Sequence, residues 1–163
     1  MAELLRNPEK MEKAKTEIRE VIGHRKLIQE ADISALPYLL AIVKETFRLY
    51  PPVRIMSRHY EAGIEIDQYI VPNNAVVLVN LWAIGRDSSV WSNHESVVPE
   101  RFLDSEIDVK GHHFELLPFI TGRRICVGMP LAERMVHLML ASLLHNFDWK
   151  LEDGDKSRKH GHV

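Results

Sequence analysis

The stretch FITGRRICVG, residues 119–128, holds the only cysteine of the chain and decides how the fold is interpreted. A glycine and two arginines precede Cys126, and a second glycine follows it. One cysteine cannot form an internal disulfide, so the thiol is structural, reactive or a metal ligand. A buried thiol that fills space is the default for a free cysteine. The flexible, electropositive neighbours argue against that default, because they do not form an apolar slot.

Three other kinds of site are weighed against the same residues. A phosphatase-type nucleophile needs an arginine at position 132, where this chain has alanine, and the first arginine after the cysteine is Arg134. A phosphate-binding loop needs a Gly-Lys-Ser/Thr sequence, which does not follow. Zinc needs a second cysteine or a His-Glu-x-x-His motif, and the nine histidines are scattered along the chain.

A fourth possibility is a thiolate that ligates a haem iron, and here each neighbour has a function. Pro130 predicts a helix start after the cysteine, whose amides favour a negatively charged sulfur. Gly122 and Gly128 allow the backbone to approach a flat macrocycle without a side-chain clash. Arg124 can pair with a haem propionate. The residues therefore favour a haem ligand at Cys126.

The composition predicts one soluble globular domain of 163 residues, with 45% hydrophobic and 27% charged residues. A net charge of -2 gives no basic field that would attract nucleic acid. No apolar run reaches the ~18 residues that cross a bilayer, and the charged N-terminus is not a signal peptide. As written, the chain is expected in the cytosol.

The patterning predicts a mainly α fold with a small β-sheet, an α+β class. Asn7 is expected to cap the first long helix, and Pro-Pro at 51–52 to end the second. The last helix is apolar nearly all round, which is typical of a core position, yet the rest of the chain offers it few partners. The expected elements are helices at 7–22, 37–50 and 130–145, two or three strands within 57–81, a largely irregular segment at 85–117 with one helical turn near 88–91, and a polar tail at 154–163 that we expect to be disordered.

The sequence resembles the cytochrome P-450 family, the haem-thiolate monooxygenases. The cysteine pattern of that family is Phe-x-x-Gly-x-Arg-x-Cys-x-Gly, and the chain matches it at Phe119, Gly122, Arg124, Cys126 and Gly128. The resemblance implies haem b as the cofactor and Cys126 as the axial ligand of its iron. It extends over residues 1–153, which we interpret as the C-terminal, incomplete part of the family's fold.

Two further motifs occur in the family's order. Glu45 and Arg48 match its Glu-x-x-Arg motif, and PERF at 99–102 supplies Arg101. The resemblance implies that these three residues form a buried ion-paired cluster that fixes the segment before the cysteine. Glu45 and Arg48 alone would be read as a solvated helical pair. The stretch AIGRD before Trp91 also fits the family, and the whole chain looks most like plant hydroxylases of terpenoids and other specialised metabolites.

The resemblance implies a monooxygenase that hydroxylates a small apolar substrate, such as a terpenoid, with electrons from a flavin-containing reductase. It also implies that the full-length protein is held on the cytosolic face of the endoplasmic reticulum by an N-terminal anchor. Arg58 is a candidate contact to a haem propionate, with a surface arginine as an equal alternative. Trp91 and Trp149 are interpreted as packing residues.

The chain departs from the family at three positions and in its extent. Ile120 replaces a glycine, where a β-branched side chain disfavours a positive φ, and Val127 and Ser88 replace prolines. The family's central oxygen-activating helix and most of its substrate-binding segments are expected to be absent, so we expect the chain alone to be inactive. A non-catalytic haem-binding or interaction fragment, or an unstable truncated product, is the alternative.

Overall fold

A computed structural model describes residues 1–23 and 27–151, in two compact units. The first unit contains Met1–Val43 and the chain from Gly128 onward, and the second contains Lys44–Val127. The segment 154–163, predicted to be a disordered tail, lies outside the described residues. The mainly α architecture with small antiparallel sheets confirms the predicted fold class.

The first unit is helical. Its core lies where α2 meets the 3-10 helix, the start of α3 and the end of α5, and it includes Ile18, Leu39 and Leu144, each at most 2% exposed. The helical elements in chain order are α1 (Ala2–Arg6), α2 (Pro8–Ile22), a 3-10 helix (Glu30–Ala35), α3 (Pro37–Leu49), which continues into the second unit, and α5 (Met129–Asn146).

Proline and glycine set the ends of α2 as predicted. Pro8 is the first helical residue and Gly23, at φ +64°, follows the last one. The prediction that the Asn7 side chain caps this helix is wrong. Asn7 is at the N-cap position, but its amide nitrogen donates to the carbonyl of Glu3 at 2.8 Å, so it closes α1 instead.

Helix α5 is buried on one side only, although its composition is typical of a fully enclosed helix. Ala141 and Leu144 are buried, whereas Leu131 is 66% exposed and Met139 is 56% exposed. One face of the helix is therefore exposed among the described residues, as expected for an apolar helix with few partners in this chain. The helix also starts at Met129, one residue before Pro130, which takes a place in its first turn.

The second unit contains four strands, one more than the highest number predicted. The strands β1 (Ile55–His59) and β4 (Val76–Asn80) form one antiparallel pair, and β2 (Ile64–Ile66) and β3 (Tyr69–Val71) form another. The predicted turn at 72–74 connects β3 to β4, with Asn74 at φ +61°. Position 74 tolerates this conformation because asparagine enters the left-handed region more readily than most residues.

Short helical segments organise the rest of the second unit. Helix α4 (Leu81–Ile84) follows β4 directly, and the Asn80 side chain accepts from the Ala83 amide at 3.0 Å. The predicted turn before Trp91 is present, since the Trp91 amide donates to the carbonyl of Asp87 at 2.8 Å. Two 3-10 helices, Pro99–Phe102 and Gly122–Arg124, were not predicted. No helix in the described ranges has the length and apolar character to cross a membrane.

Candidate functional site

Glu45 and Arg48 form a buried pair on one face of α3. Their spacing of three residues places both side chains on the same side of the helix. The Arg48 Nε and Nη2 atoms donate to the two carboxylate oxygens of Glu45 at 2.7 and 2.8 Å. Neither side chain is accessible to solvent, and such a two-point charged contact is stronger and more directional than a single one. The solvated-pair interpretation is therefore excluded by the geometry.

The structure brings Arg101 to the same carboxylate. Arg101 lies on the 3-10 helix that begins at Pro99, and its Nε atom is 3.3 Å from Glu45 Oε2. The Val98 amide also donates to Glu45, at 2.8 Å. We call Glu45, Arg48 and Arg101 the ion cluster. One buried carboxylate thus joins α3 to the segment before the cysteine.

Arg48 also binds three backbone carbonyls of the irregular segment. It donates to Gly85 at 2.5 Å, His94 at 2.7 Å and Ser96 at 3.0 Å. These bonds satisfy the carbonyls of a long connection that has few backbone partners of its own. The chain must also pass very close to α3 here, because a Cβ on Gly85 would lie 2.1 Å from the Arg48 carbonyl oxygen. The ion cluster therefore organises 85–98 as well as α3.

Trp91 contributes more to this region than the packing role that the sequence suggested. Its ring lies 5.3 Å from the guanidinium of Arg48 and 5.6 Å from that of Arg101. The ring also contacts Phe102, at 5.7 Å between centroids, and the residue is 5% exposed. Cation–π attraction to two guanidinium groups adds to the ion pairing. The sequence signal was the position of a tryptophan between AIGRD and PERF.

Arg86, in the AIGRD stretch, has a second aromatic environment. Its guanidinium lies 4.3 Å from the Trp82 ring and 5.9 Å from the Tyr50 ring. Burial lowers the pKa of Arg86 from its ordinary value, with weaker opposing contributions from Tyr50 and Glu95. This stack holds the turn after α4 against the end of α3.

The cysteine loop, residues 119–127, is held at its start and open at its end. The Phe119 ring is buried and meets the Phe47 ring edge-on at 5.2 Å. The Cys126 amide donates to the Phe119 carbonyl at 3.0 Å, which closes the loop, while the Cys126 side chain is exposed. The loop therefore presents its thiol and does not bury it.

Two residues of the loop have positive φ angles. Ile120 has φ +69° and Gly122 has φ +74°. Glycine adopts this conformation freely, but for a β-branched residue it is an outlier that costs about 1–3 kcal/mol. The departure noted in the sequence at Ile120 is thus a site of backbone strain.

The residues of the loop fit a haem. A Cβ on Gly122 would meet no atom within 4 Å, and Val127 is 96% exposed, so a flat group has room beside the thiol. A haem needs a single protein ligand on this side because its own nitrogens hold the iron. Among the described residues, no group of three His, Cys, Asp or Glu side chains could hold a bare metal ion. The exposed Cys126 thiol is the one ligand that such an iron needs from the protein on this side.

The remaining candidate residues have different surroundings. Arg124 is exposed at the end of its 3-10 helix, where its side chain is available to a propionate. Gly128 is the N-cap residue of α5 with φ -81°, so it does not use the left-handed region. Arg58 lies on β1, opposite Val77, and is half-buried. The structure places Arg58 in the sheet and not in the cysteine loop.

Comparisons with known proteins agree with this geometry. The family model described as Cytochrome P450 matches residues 1–162. Cytochrome P450 76T24 of Catharanthus roseus is 60% identical over 157 residues, which cover 96% of this chain and 32% of the relative. Geraniol 8-hydroxylase of Swertia mussotii is 54% identical over 155 residues, which cover 94% of this chain and 31% of the relative.

A solved structure leads to the same fold. A zebrafish cytochrome P450 determined with progesterone aligns with a TM-score of 0.78 at 33% identity, covering 88% of this chain and 32% of that chain. The chain thus spans about a third of the length of the curated relatives that it matches. Proteins of this family use haem b, and its hydroxylases act on small substrates and need redox partners. The chain belongs to the cytochrome P-450 family.

Proposed function

We propose that this chain is the haem-thiolate segment of a monooxygenase that hydroxylates small apolar molecules, such as terpenoids. The observation that carries the proposal is the exposed Cys126 thiol on a closed loop whose sequence matches the family pattern. The similarity to geraniol 8-hydroxylase supports the substrate class. The complete reaction is assigned to a full-length protein that contains this segment.

Several residues of the chain have separate roles in the proposed binding of haem. Cys126 ligates the iron, and Arg124 pairs with a propionate of the haem. Gly122 leaves the space that the ring occupies, and Phe119 fixes the start of the loop against α3. When bound, the haem supplies the oxygen chemistry, and the thiolate ligand favours cleavage of the O–O bond. Arg58, half-buried on β1, is a second candidate for a propionate.

The partner and location follow as parts of the same proposal. A flavin-containing reductase supplies the electrons, and the full-length protein works on the cytosolic face of the endoplasmic reticulum. The alternative for the chain by itself is a non-catalytic haem-binding role. This role predicts the same thiolate spectrum as the monooxygenase proposal, but no hydroxylation of a substrate.

A haem titration of the purified chain tests the proposal. The reduced, carbon-monoxide-bound spectrum is recorded for the unmodified chain, for Cys126→Ser and for Val127→Ala. We expect a strongly red-shifted Soret band that is lost in Cys126→Ser and kept in Val127→Ala, because Val127 is an exposed neighbour that ligates nothing. A spectrum typical of free or imidazole-bound haem, unchanged by Cys126→Ser, would exclude thiolate ligation by this chain.

A further inference from the structure

The cysteine loop is tied to a second segment, residues 108–111, by two contacts that the family pattern does not contain. The Thr121 hydroxyl donates to the carbonyl oxygen of Gly111 at 2.6 Å. Gly111 itself packs so closely that a Cβ there would lie 2.9 Å from the carbonyl oxygen of Ile120. Both contacts meet the loop at the residues just before Gly122, where the chain turns toward the cysteine.

These contacts surround the strained residue of the loop. Ile120 keeps φ +69° although it is β-branched, and such a conformation persists only where the surroundings determine it more than once. On one side, the Ile120 amide donates to the carbonyl of Leu117 at 3.2 Å. On the other side, the Thr121 hydroxyl and the close approach of Gly111 hold the following peptide. The strained residue is therefore fixed from both directions.

We propose that Thr121 is a positioning residue for Cys126. Its hydrogen bond to Gly111 holds the Ile120–Thr121 peptide in the orientation that a positive φ at Ile120 produces. That orientation sets the direction in which residues 122–126 leave, and thus where the thiol points. If the hydrogen bond is removed, Ile120 can return to a negative φ, which rotates the peptide and displaces the loop that follows.

The segment 108–111 holds the acceptor carbonyl of Gly111 in a fixed position. Gly111 has φ +84°, a conformation that glycine adopts without strain, and it is buried. The preceding turn is closed by the Asp108 side chain, which accepts from the Lys110 amide at 2.9 Å. The Gly111 carbonyl is thus presented by a short ordered turn, so Thr121 binds an acceptor whose position is fixed.

The amide of Cys126 offers a readout that needs no haem. This amide donates to the Phe119 carbonyl across the loop, so its hydrogen exchange reports whether the loop is closed. Exchange is measured in the complete chain for the unmodified protein, Thr121→Val and Thr121→Ser. Valine keeps the size of threonine without the donor, whereas serine keeps the donor. Ser34→Ala is the matched control, because it removes a hydroxyl that donates to the Ala31 carbonyl at 3.1 Å in the first unit.

We expect Thr121→Val to speed exchange at Cys126 by roughly fivefold or more, the loss expected for one hydrogen bond, and Thr121→Ser to restore the original rate. Gly111→Ala should act in the same direction, since it pushes the two segments apart. Three results would overturn the proposal. The Cys126 amide could exchange at the same rate in Thr121→Val as in the unmodified chain, or it could already exchange fast in the unmodified chain. Thr121→Val could also accelerate exchange in β1 and β4 as much as at Cys126.

The consequence for the iron rests on the proposed function. In the haem-loaded chain, Thr121→Val should lower the fraction of the red-shifted carbon-monoxide band, and Thr121→Ser should recover it. The exchange measurement stands without haem, so a failure of thiolate ligation and a failure of the Thr121 contact give different results.

Discussion

The ion cluster and the cysteine loop lie in the same unit of the chain, yet they are built in opposite ways. In the ion cluster, the Glu45 and Arg48 side chains are inaccessible to solvent, and Arg101 is 11% exposed. In the loop, Arg123, Arg124 and Cys126 are all exposed. Charged groups in the cluster are satisfied by each other and by backbone carbonyls. The charged side chains of the loop, Arg123 and Arg124, are exposed and can bind a negatively charged ligand.

The difference shows which part of the site is supported by the chain itself. The ion cluster needs no ligand to satisfy its charges, so it can act as a scaffold before a cofactor binds. The cysteine loop keeps a strained backbone, with Ile120 at φ +69°, and exposes the Cys126 thiol. Strain is typically found at functional sites, where the surrounding structure supplies the energy that holds it. The ion cluster is held by hydrogen bonds among buried groups, whereas the cysteine loop is held by contacts with adjoining segments.

The largest effect is expected at the centre of the ion cluster. Glu45→Gln removes the charge that faces Arg48 and Arg101 and leaves buried guanidinium groups without a counter-charge. Breaking one partner of a buried pair costs about 3–5 kcal/mol. Urea unfolding should show this loss. The control Glu12→Gln breaks the exposed pair with Arg19 and should cost at most about 1 kcal/mol. Similar losses in the two variants would contradict the contrast between buried and exposed charges.

A second prediction concerns the close approach that the ion cluster enforces. In Gly85→Ala the new Cβ would lie 2.1 Å from the Arg48 carbonyl oxygen, so the backbone must move. We expect a loss near the upper end of the ~1–3 kcal/mol that overpacking costs. In the control Gly63→Ala, the nearest atom is a side-chain oxygen of Asn73 at 3.0 Å, which can move away. Equal unfolding midpoints for the two variants would show that the irregular segment is not held against α3.

The sequence predicts most of what local chemistry determines. The long helices end within one residue of their predicted bounds, because prolines and glycines limit the backbone there. The residues of the ion cluster were predicted from the resemblance to the cytochrome P-450 family, since Glu45 and Arg48 alone indicate a solvated pair. The strands were undercounted, because β2 and β3 have three residues each and most of their side chains are exposed, so they give little alternation.

Other features depend on what each residue meets in the fold. The composition of α5 shows that it prefers an apolar environment, but not which of its faces is covered. The sequence raised doubt about Ile120 without showing that the loop takes the unfavourable conformation. The carbonyl contacts of Arg48 and the hydrogen bond of Thr121 join residues that are distant in sequence, and no short motif encodes them.

The third prediction tests the strain in the cysteine loop directly. Ile120→Gly removes the steric cost of φ +69°, which is about 1–3 kcal/mol for a residue with a Cβ. Part of this gain is offset by the greater freedom of glycine in the unfolded chain, so we expect a net stabilisation of about 1 kcal/mol or less. Ile125→Gly is the control, because Ile125 has φ -57° and no strain to release. Stabilisation should appear in Ile120→Gly alone; a loss in both would refute the presence of strain.

The smallest effect is expected for a pair with only one buried partner, which lies between the two extremes of the comparison. Lys15 is 8% exposed and donates to the exposed Asp148 carboxylate at 2.8 Å. This hydrogen bond and the charge of Lys15 lower the pKa of Asp148 from 3.8. Because the pKa is lower in the folded state, the pair stabilises the fold above the unfolded value and loses that contribution as the pH falls through the folded value.

Asp148→Asn should therefore lower the unfolding midpoint slightly near neutral pH and make no difference well below pH 3.8, where the carboxyl is protonated in both states. Urea unfolding at both pH values measures the change. The expected loss is smaller than that of Glu45→Gln, because water reaches Asp148 and weakens its attraction to Lys15. A difference between Asp148→Asn and the unmodified chain that persists in strong acid would show that packing, and not charge, holds Asp148. The pair of Lys15 and Asp148 could then no longer serve as the weak ion pair that is compared with the buried ion cluster.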